Sequence, residues 1–184
     1  KAVNPTSLNN VERIGDYAFY NCDSFVNLNA PNLKTVGQYA FADCNKLATA
    51  NIPMVNHWSA YMFSNCPALA TITSECKFTS EATAINGTTT KVTNITINYD
   101  VASSAELPAT TVFNGLKSKC ANVVLYVKAN SLSIFNADSV FKTLTLKTIE
   151  QSINDANGNS YYVSSITING NSYYKIAYIA GNGT

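Results

Sequence analysis

The chain has 184 residues and 23 charged side chains (12 Lys+Arg and 11 Asp+Glu), with a net charge of +1, about half the charged share of an average soluble domain. This leaves no electrostatic field to gather nucleic acid or an anionic membrane surface, and no apolar run approaches the roughly 18 residues needed to span a bilayer. Polarity comes instead from 24 Asn, 19 Thr and 17 Ser, with only 5 Glu and 1 Arg, a balance that disfavours long helices. Hydrophobic content of 46% with 11% aromatics is ample for a core and argues against disorder. Lys1 is neither Met nor the start of a basic-then-apolar leader, which predicts a mature or trimmed, soluble product.

A repeat dominates the first half. Cys22, Cys44 and Cys66 lie 22 residues apart, and each follows a Phe by three: Phe19, Phe41 and Phe63. Ile14-Gly15-Asp16-Tyr17-Ala18-Phe19 aligns with Val36-Gly37-Gln38-Tyr39-Ala40-Phe41 and with Trp58-Ser59-Ala60-Tyr61-Met62-Phe63. Apolar residues recur after each Cys, as Phe25, Leu28 and Ala30, then Leu47, Ala50 and Ile52, with Pro31 and Pro53 closing the runs. Val3, Leu8, Val11 and Ile14 extend the columns backwards; Leu69 and Ile72, then Val92, Ile95 and Ile97, extend them forwards. Units fall at 1–21, 22–43, 44–65 and 66–88, followed by a degenerate stretch 89–119 and a closing unit 120–150.

A unit of 22 residues cannot bury its own apolar face, so consecutive units must stack on a shared core. The fold class predicted is mainly β with short helical or 3₁₀ turns, a solenoid over 1–150. Asn27 to Ala30, Thr49 to Ile52, Thr71 to Ser74 and Asn94 to Ile97 alternate polar with apolar, the period of a half-buried strand, and predict a parallel sheet. Proline offers no N–H to the ladder, so strands should stop at Pro31 and Pro53. Each Tyr-Ala-Phe-x-x-Cys segment predicts a short helical or 3₁₀ turn, with Phe19, Phe41 and Phe63 filling the core. An open stack ends in bare strand edge and needs a cover. Ser131 to Val140, with Phe135 and Phe141, predicts a short amphipathic helix there, and Leu144, Leu146 and Ile149 a final strand.

Residues 151–184 read as a hairpin or the start of a further domain. Asn157-Gly158-Asn159-Ser160-Tyr161-Tyr162 recurs as Asn169-Gly170-Asn171-Ser172-Tyr173-Tyr174. Each copy leads into a β-prone run, and Asn-Gly between two such runs signals a tight turn, here at Asn169-Gly170.

The Ile-Gly-x-Tyr-Ala-Phe-x-x-Cys-x-x-Leu pattern, with its Ile-x-Ile-Pro close, resembles the BspA-like bacterial surface leucine-rich repeats. The third unit departs, with Trp58, Ser59 and Met62 in place of aliphatic, Gly and Ala, and no Pro follows Ser74. Leu107-Pro108-Ala109-Thr110-Thr111-Val112-Phe113, Val124-Leu125-Tyr126-Val127-Lys128, Phe135, Phe141 and Ile149-Glu150 are similar to the closing unit common in such proteins. Lys128, Phe135 and Phe141 stand where that unit usually has Pro, Tyr and Trp. The resemblance implies attachment to host or matrix proteins by surface proteins of anaerobic bacteria.

Five cysteines cannot all pair internally. Stacking places Cys22, Cys44 and Cys66 in a line about 4.8 Å apart, which suits neither a tetrahedral metal site nor a disulfide. They read as small buried side chains in a structural ladder with Phe19, Phe41 and Phe63. Cys76 and Cys120 lie outside the register, and pairing between them stays open. His57 is the sole histidine, which removes most acid–base and nucleophile sets, and no nucleophile motif, phosphate loop or calcium loop occurs. His57 reads as a solvated or turn-capping residue, and Asp16, Asp23 and Asp43 as caps of local backbone. The sequence predicts no catalysis, cofactor or metal.

What remains is surface recognition. Tyr17, Tyr39 and Tyr61 share a column that predicts either a stripe for sugar rings or apolar protein patches, or rings that stack and shield the turn below. Asn29, Asn51 and Thr73 recur at outward strand positions and offer a rival polar surface. Two functions follow: an extracellular protein-binding or adhesion module, and a structural spacer or carbohydrate-capture module of a larger envelope protein. The expected partner is a host or matrix protein, or a glycan, with no nucleic acid and no membrane span. Asn/Thr/Ser richness fits an exported, extracellular or cell-surface location. Asn86-Gly87-Thr88, Asn94-Ile95-Thr96 and Asn182-Gly183-Thr184 are glycosylation triplets that matter only in a eukaryotic host.

Overall fold

The structure, a computed structural model, describes residues 8–85, 92–114, 116, 120, 122–149, 151–154, 160–168 and 171–180. Val3, the glycosylation triplets at Asn86 and Asn182, and the expected turn at Asn169-Gly170 lie outside them. The chain divides into two compact units, Lys1–Lys147 and Thr148–Thr184.

The first unit stacks one coil of chain on the next at the predicted interval. Its strands are β1 (Arg13–Ile14), β2 (Asn27–Asn29), β3 (Thr35–Val36), β4 (Thr49–Asn51), β5 (His57–Trp58), β6 (Thr71–Ser74), β7 (Thr79–Ser80), β8 (Asn94–Ile97), β9 (Val124–Val127) and β10 (Thr145–Thr148). Six of them form one sheet in the order β2-β4-β6-β8-β9-β10. From β2 to β9 every neighbouring pair is parallel, with Leu28, Ala50, Ile72, Ile95 and Leu125 in one file. These residues and the file Ala30, Ile52, Ser74, Ile97, Val127 point inward and are buried. The alternation in the sequence therefore places apolar groups inside and Asn and Thr outside.

A second side of each coil carries short parallel pairs missed by the sequence reading: β1 with β3 and β5 with β7. Two residues give too little alternation to register as strand. Ile14, Val36 and Trp58 from this side are buried.

The Tyr-Ala-Phe-x-x-Cys segments are turns and not the expected helical or 3₁₀ pieces. Tyr17, Phe19 and Asn21 donate their N–H groups to Gln38, Ala40 and Ala42 of the next coil, at 2.9, 2.8 and 2.8 Å. Ala18 and Tyr20 donate within their own coil, to Gly15 and Tyr17. This division requires left-handed backbone at two places per turn, Tyr17/Asn21, Tyr39/Asp43 and Tyr61/Asn65, with φ between 54° and 58°. Asn and Asp accept that conformation easily, whereas each tyrosine stores strain of roughly 1–3 kcal/mol. Inter-coil hydrogen bonds and ring packing offset it.

The core is correspondingly regular. Phe41 lies 5.4 Å from Phe19 and 5.7 Å from Phe63, with ring planes within 24° of parallel. Phe41 and Phe63 are fully buried, each contributing about 1.5–3 kcal/mol; Phe19, in the first described turn, is partly exposed. A second aromatic file runs on from Trp58 through Phe78, Phe113 and Phe141 to Phe135.

A cover does follow β9: a 3₁₀ turn at Ala129–Ser131, helix α1 (Leu132–Ala137), shorter than predicted, and a 3₁₀ turn at Phe141–Thr143 that leads into β10. Asp138 ends α1 and receives the N–H groups of Val140 and Phe141 on Oδ1. Buried Ser131 accepts the Val101 N–H at 2.9 Å.

The second unit contains β11 (Gln151–Asn154), β12 (Ser160–Ile168) and β13 (Asn171–Ala180), an antiparallel sheet in that order. The last pair of the β12–β13 register is Ile168 with Asn171.

Candidate functional site

The left-handed φ at Tyr17, Tyr39 and Tyr61 brings the three tyrosines into file. Tyr17 and Tyr39 stack at 4.9 Å and 6°, and Tyr39 and Tyr61 at 4.7 Å and 12°. Thr83 follows Tyr61 in the next coil, where the two meet by a backbone hydrogen bond, so the stripe is three rings long. Tyr17 is 56% exposed, while Tyr39 and Tyr61 are half-buried. Tyr20, 48% exposed, meets Tyr17 edge-on at 5.8 Å. Its hydrogen bond to the Asp43 side chain raises its pKa above the ordinary phenol value, as burial does for Tyr39. The stacked faces are spent on one another, so a ligand at Tyr39 meets ring edges and no open face.

Asn29, Asn51 and Thr73 also lie in file, on the outer face of the six-stranded sheet. Asn51 donates to Asn29 Oδ1 at 2.8 Å, and in the adjacent column Thr49 donates to Asn27 Oδ1 at 2.8 Å. The columns continue through Thr96 and Tyr126, and through Thr71, Asn94 and Val124. The sequence reading placed Thr71, Asn94 and Thr96 on strands but did not single them out as candidate surface residues.

The carboxylates tie coils together and do not cap local backbone. Asp16 receives the Gln38 N–H at 2.8 Å, Asp23 the Asn45 N–H at 2.9 Å, and Asp43 the Asn65 side-chain amide. His57 is exposed, with Nδ1 2.7 Å from Thr79 Oγ1 and Nε2 4.0 Å from Glu81. Asp100 is held below the usual carboxylate range by Asn130 and Lys128.

Cys22, Cys44 and Cys66 are buried in file, and no cysteine is in a disulfide, Cys76 and Cys120 included. Cys44 donates to the Phe19 carbonyl at 3.2 Å and Cys66 to that of Phe41 at 3.1 Å. Burial pushes these thiols up to about 11 and about 12, which removes the reactive thiolate. Among the described residues no group of His, Cys, Asp and Glu could hold a metal ion, and no helix is long and apolar enough to cross a membrane.

Residues 3–107 match six copies of the BspA type leucine rich repeat region. The chain belongs to the BspA-type leucine-rich repeat family. These BspA-type repeats cover the parallel sheet as far as β8. The crystal structure of the pneumococcal vaccine antigen PcpA is similar over 77% of this chain and 42% of its own, at 14% identity and a TM-score of 0.37. The chain thus spans about two fifths of that antigen's length. No curated protein matches it.

Proposed function

We propose that the chain is an extracellular recognition module of a bacterial surface protein. It adheres to a host or matrix protein, or to a glycan, through the outer surface of its stacked repeats, without catalysis. Family membership supports this reading. The observation that carries it is the outward face of the parallel sheet. From β2 to β9 that face presents two unbroken columns of mostly short polar side chains on a backbone fixed by coil-to-coil hydrogen bonds. A rigid surface of this kind orders few groups on binding, which lowers the entropic cost of association. The domain limits that go with this reading are a repeat region over 1–150 and a separate hairpin region over 151–184.

The spacer reading draws on a different observation: the tyrosine faces and the Asn27, Asn29, Thr49 and Asn51 side chains already engage one another. The purified chain and a Tyr17→Ala/Tyr39→Ala/Tyr61→Ala variant, probed against immobilised matrix proteins and a glycan panel, separate the two. Capture by the unmodified chain supports recognition. Loss in the variant assigns contact to the tyrosine file, retention assigns it to the sheet, and no capture supports the spacer.

A further inference from the structure

Each coil meets the one before it through a fixed series of backbone groups. In the second described coil, the N–H groups of Lys34, Thr35, Gly37 and Gln38 donate to the first. The carbonyls of Gln38, Ala40 and Ala42 then accept from it. One repeat earlier, in the first described coil (residues 8–29), the same series is the N–H groups of Glu12, Arg13, Gly15 and Asp16, then the carbonyls of Asp16, Ala18 and Tyr20. None of these has a hydrogen-bond partner among the described residues. The side chains along this edge are those of an interior turn left uncovered. Ala18 is exposed, whereas Ala40 and Met62 in its column are fully buried, and Phe19 is partly exposed where Phe41 and Phe63 are not. Tyr17, Tyr20, Val26 and Met54 are the exposed large apolar residues among those described, and all but Met54 belong to this coil. Apolar groups gathered in one exposed place mark an interaction surface.

We propose that this face joins a second copy of the chain, head to head about a two-fold axis. The order of groups along the edge selects that occupant. Donors come first and acceptors last, so a copy turned about an axis beside Asp16 sets the N–H groups of residues 12–16 against the carbonyls of residues 16–20, in both directions at once. An open backbone edge is a template for such pairing, and the exposed Tyr17, Ala18, Phe19 and Tyr20 supply apolar surface to bury with it. The other end of the stack differs: α1 and its flanking 3₁₀ turns follow β9 there. Copies therefore cannot add head to tail through like surfaces, and the assembly closes as a dimer instead of growing into a fibre. Charge does not oppose it. On residues 8–26, Glu12 is held by Lys34 at 3.1 Å, Arg13 and Asp16 are opposite in sign, and Asp23 takes the Asn45 N–H. The Asp16 carboxylate, nearest the axis, is turned back to the Gln38 N–H of its own chain.

Sedimentation equilibrium of the full chain, carried up to about 1 mM, the weak end of specific association, should reach twice the mass of one chain. Hydrogen exchange should slow at Glu12, Arg13, Gly15 and Asp16 as concentration rises, and stay constant in β10 at the opposite edge of the stack. Ala18→Glu sets carboxylates on both sides of the contact and should weaken association at least about tenfold, while Ser133→Glu on the exposed side of α1 leaves it unchanged. A single-chain mass throughout overturns the proposal. So does a dimer that is indifferent to Ala18→Glu, or one whose concentration-dependent protection falls on other amides. A thermal melt of dilute Ala18→Glu that matches the dilute unmodified chain separates lost contact from lost fold, and the exchange experiment needs no variant at all.

Discussion

Gly15 and Gly37 occupy one column of the repeat, yet substitution should affect them oppositely. A Cβ on Gly37 would stand 2.5 Å from the Gly15 carbonyl carbon and closer still to Asp16 N and Oδ1, whereas a Cβ on Gly15 meets nothing within 4 Å. Neither glycine has a left-handed φ, so the requirement at Gly37 is room between coils. Two of the three obstacles are backbone and cannot rotate away, and Gly37 N–H is itself bonded to Ile14 at 2.8 Å. Overpacking of this kind costs about 1–3 kcal/mol, which for a chain of this size lowers Tm by roughly 2–12 °C. Gly15→Ala should stay within about 1 kcal/mol of the unmodified chain, since it only restricts the unfolded state. Because repeat stability is a sum of neighbour interfaces, the damage in Gly37→Ala should localise. Hydrogen exchange should accelerate first at Tyr17, Phe19 and Asn21, whose amides reach the second coil. Equal melting temperatures for the two variants would refute the close contact, and uniform loss of protection would refute the independence of coils.

Cys44 and Cys66, pushed up by burial to about 11 and about 12 from 9.0, stay protonated in the fold while the unfolded chain ionises from about pH 9. Their contribution is therefore intact below pH 9 and lost as pH rises through 9 to 12, at up to about 1.4 kcal/mol per pH unit for each thiol; urea midpoints at pH 8 and 10 check it, and an unchanged midpoint would count against the burial. The Trp58 ring is buried, has no hydrogen-bond partner for Nε1 among the described residues, and stacks on Phe78 at 4.2 Å. Trp58→Phe removes the orphan donor and should cost about 1 kcal/mol or less, against about 3–5 for Trp58→Ala, as read by chemical denaturation. Ser131→Ala strands the buried Val101 N–H and should cost about 1–3 kcal/mol, with faster exchange at Val101 as its signature; unchanged exchange there would show that another acceptor takes its place.

The stacked files of Phe, Cys and strand residues were legible because a fixed period leaves few ways to bury Leu28, Ala50 and Ile72 together. The turn conformation was not. Asn21, Asp43 and Asn65 immediately before each Cys were the signal for left-handed backbone, but the Tyr-Ala-Phe stretch that precedes them has the composition of a helical turn, and only inter-coil hydrogen bonding decides between the two. Similarly, Asp16 and Asp23 suit local caps by type, and their partners one coil away are set by stacking, which no local rule contains. Of the candidate surface, columns follow from the period alone. Which groups in a column are already satisfied, such as Asn29 by Asn51, depends on side-chain directions that spacing does not specify.

The register of the stack is tested most directly by nuclear Overhauser contacts in the labelled chain. The structure requires Phe41 ring protons to see both Phe19 and Phe63, and Ala50 to see both Leu28 and Ile72. Phe19, Phe41 and Phe63 in separate environments, with no contacts at intervals of 22 residues, would contradict it.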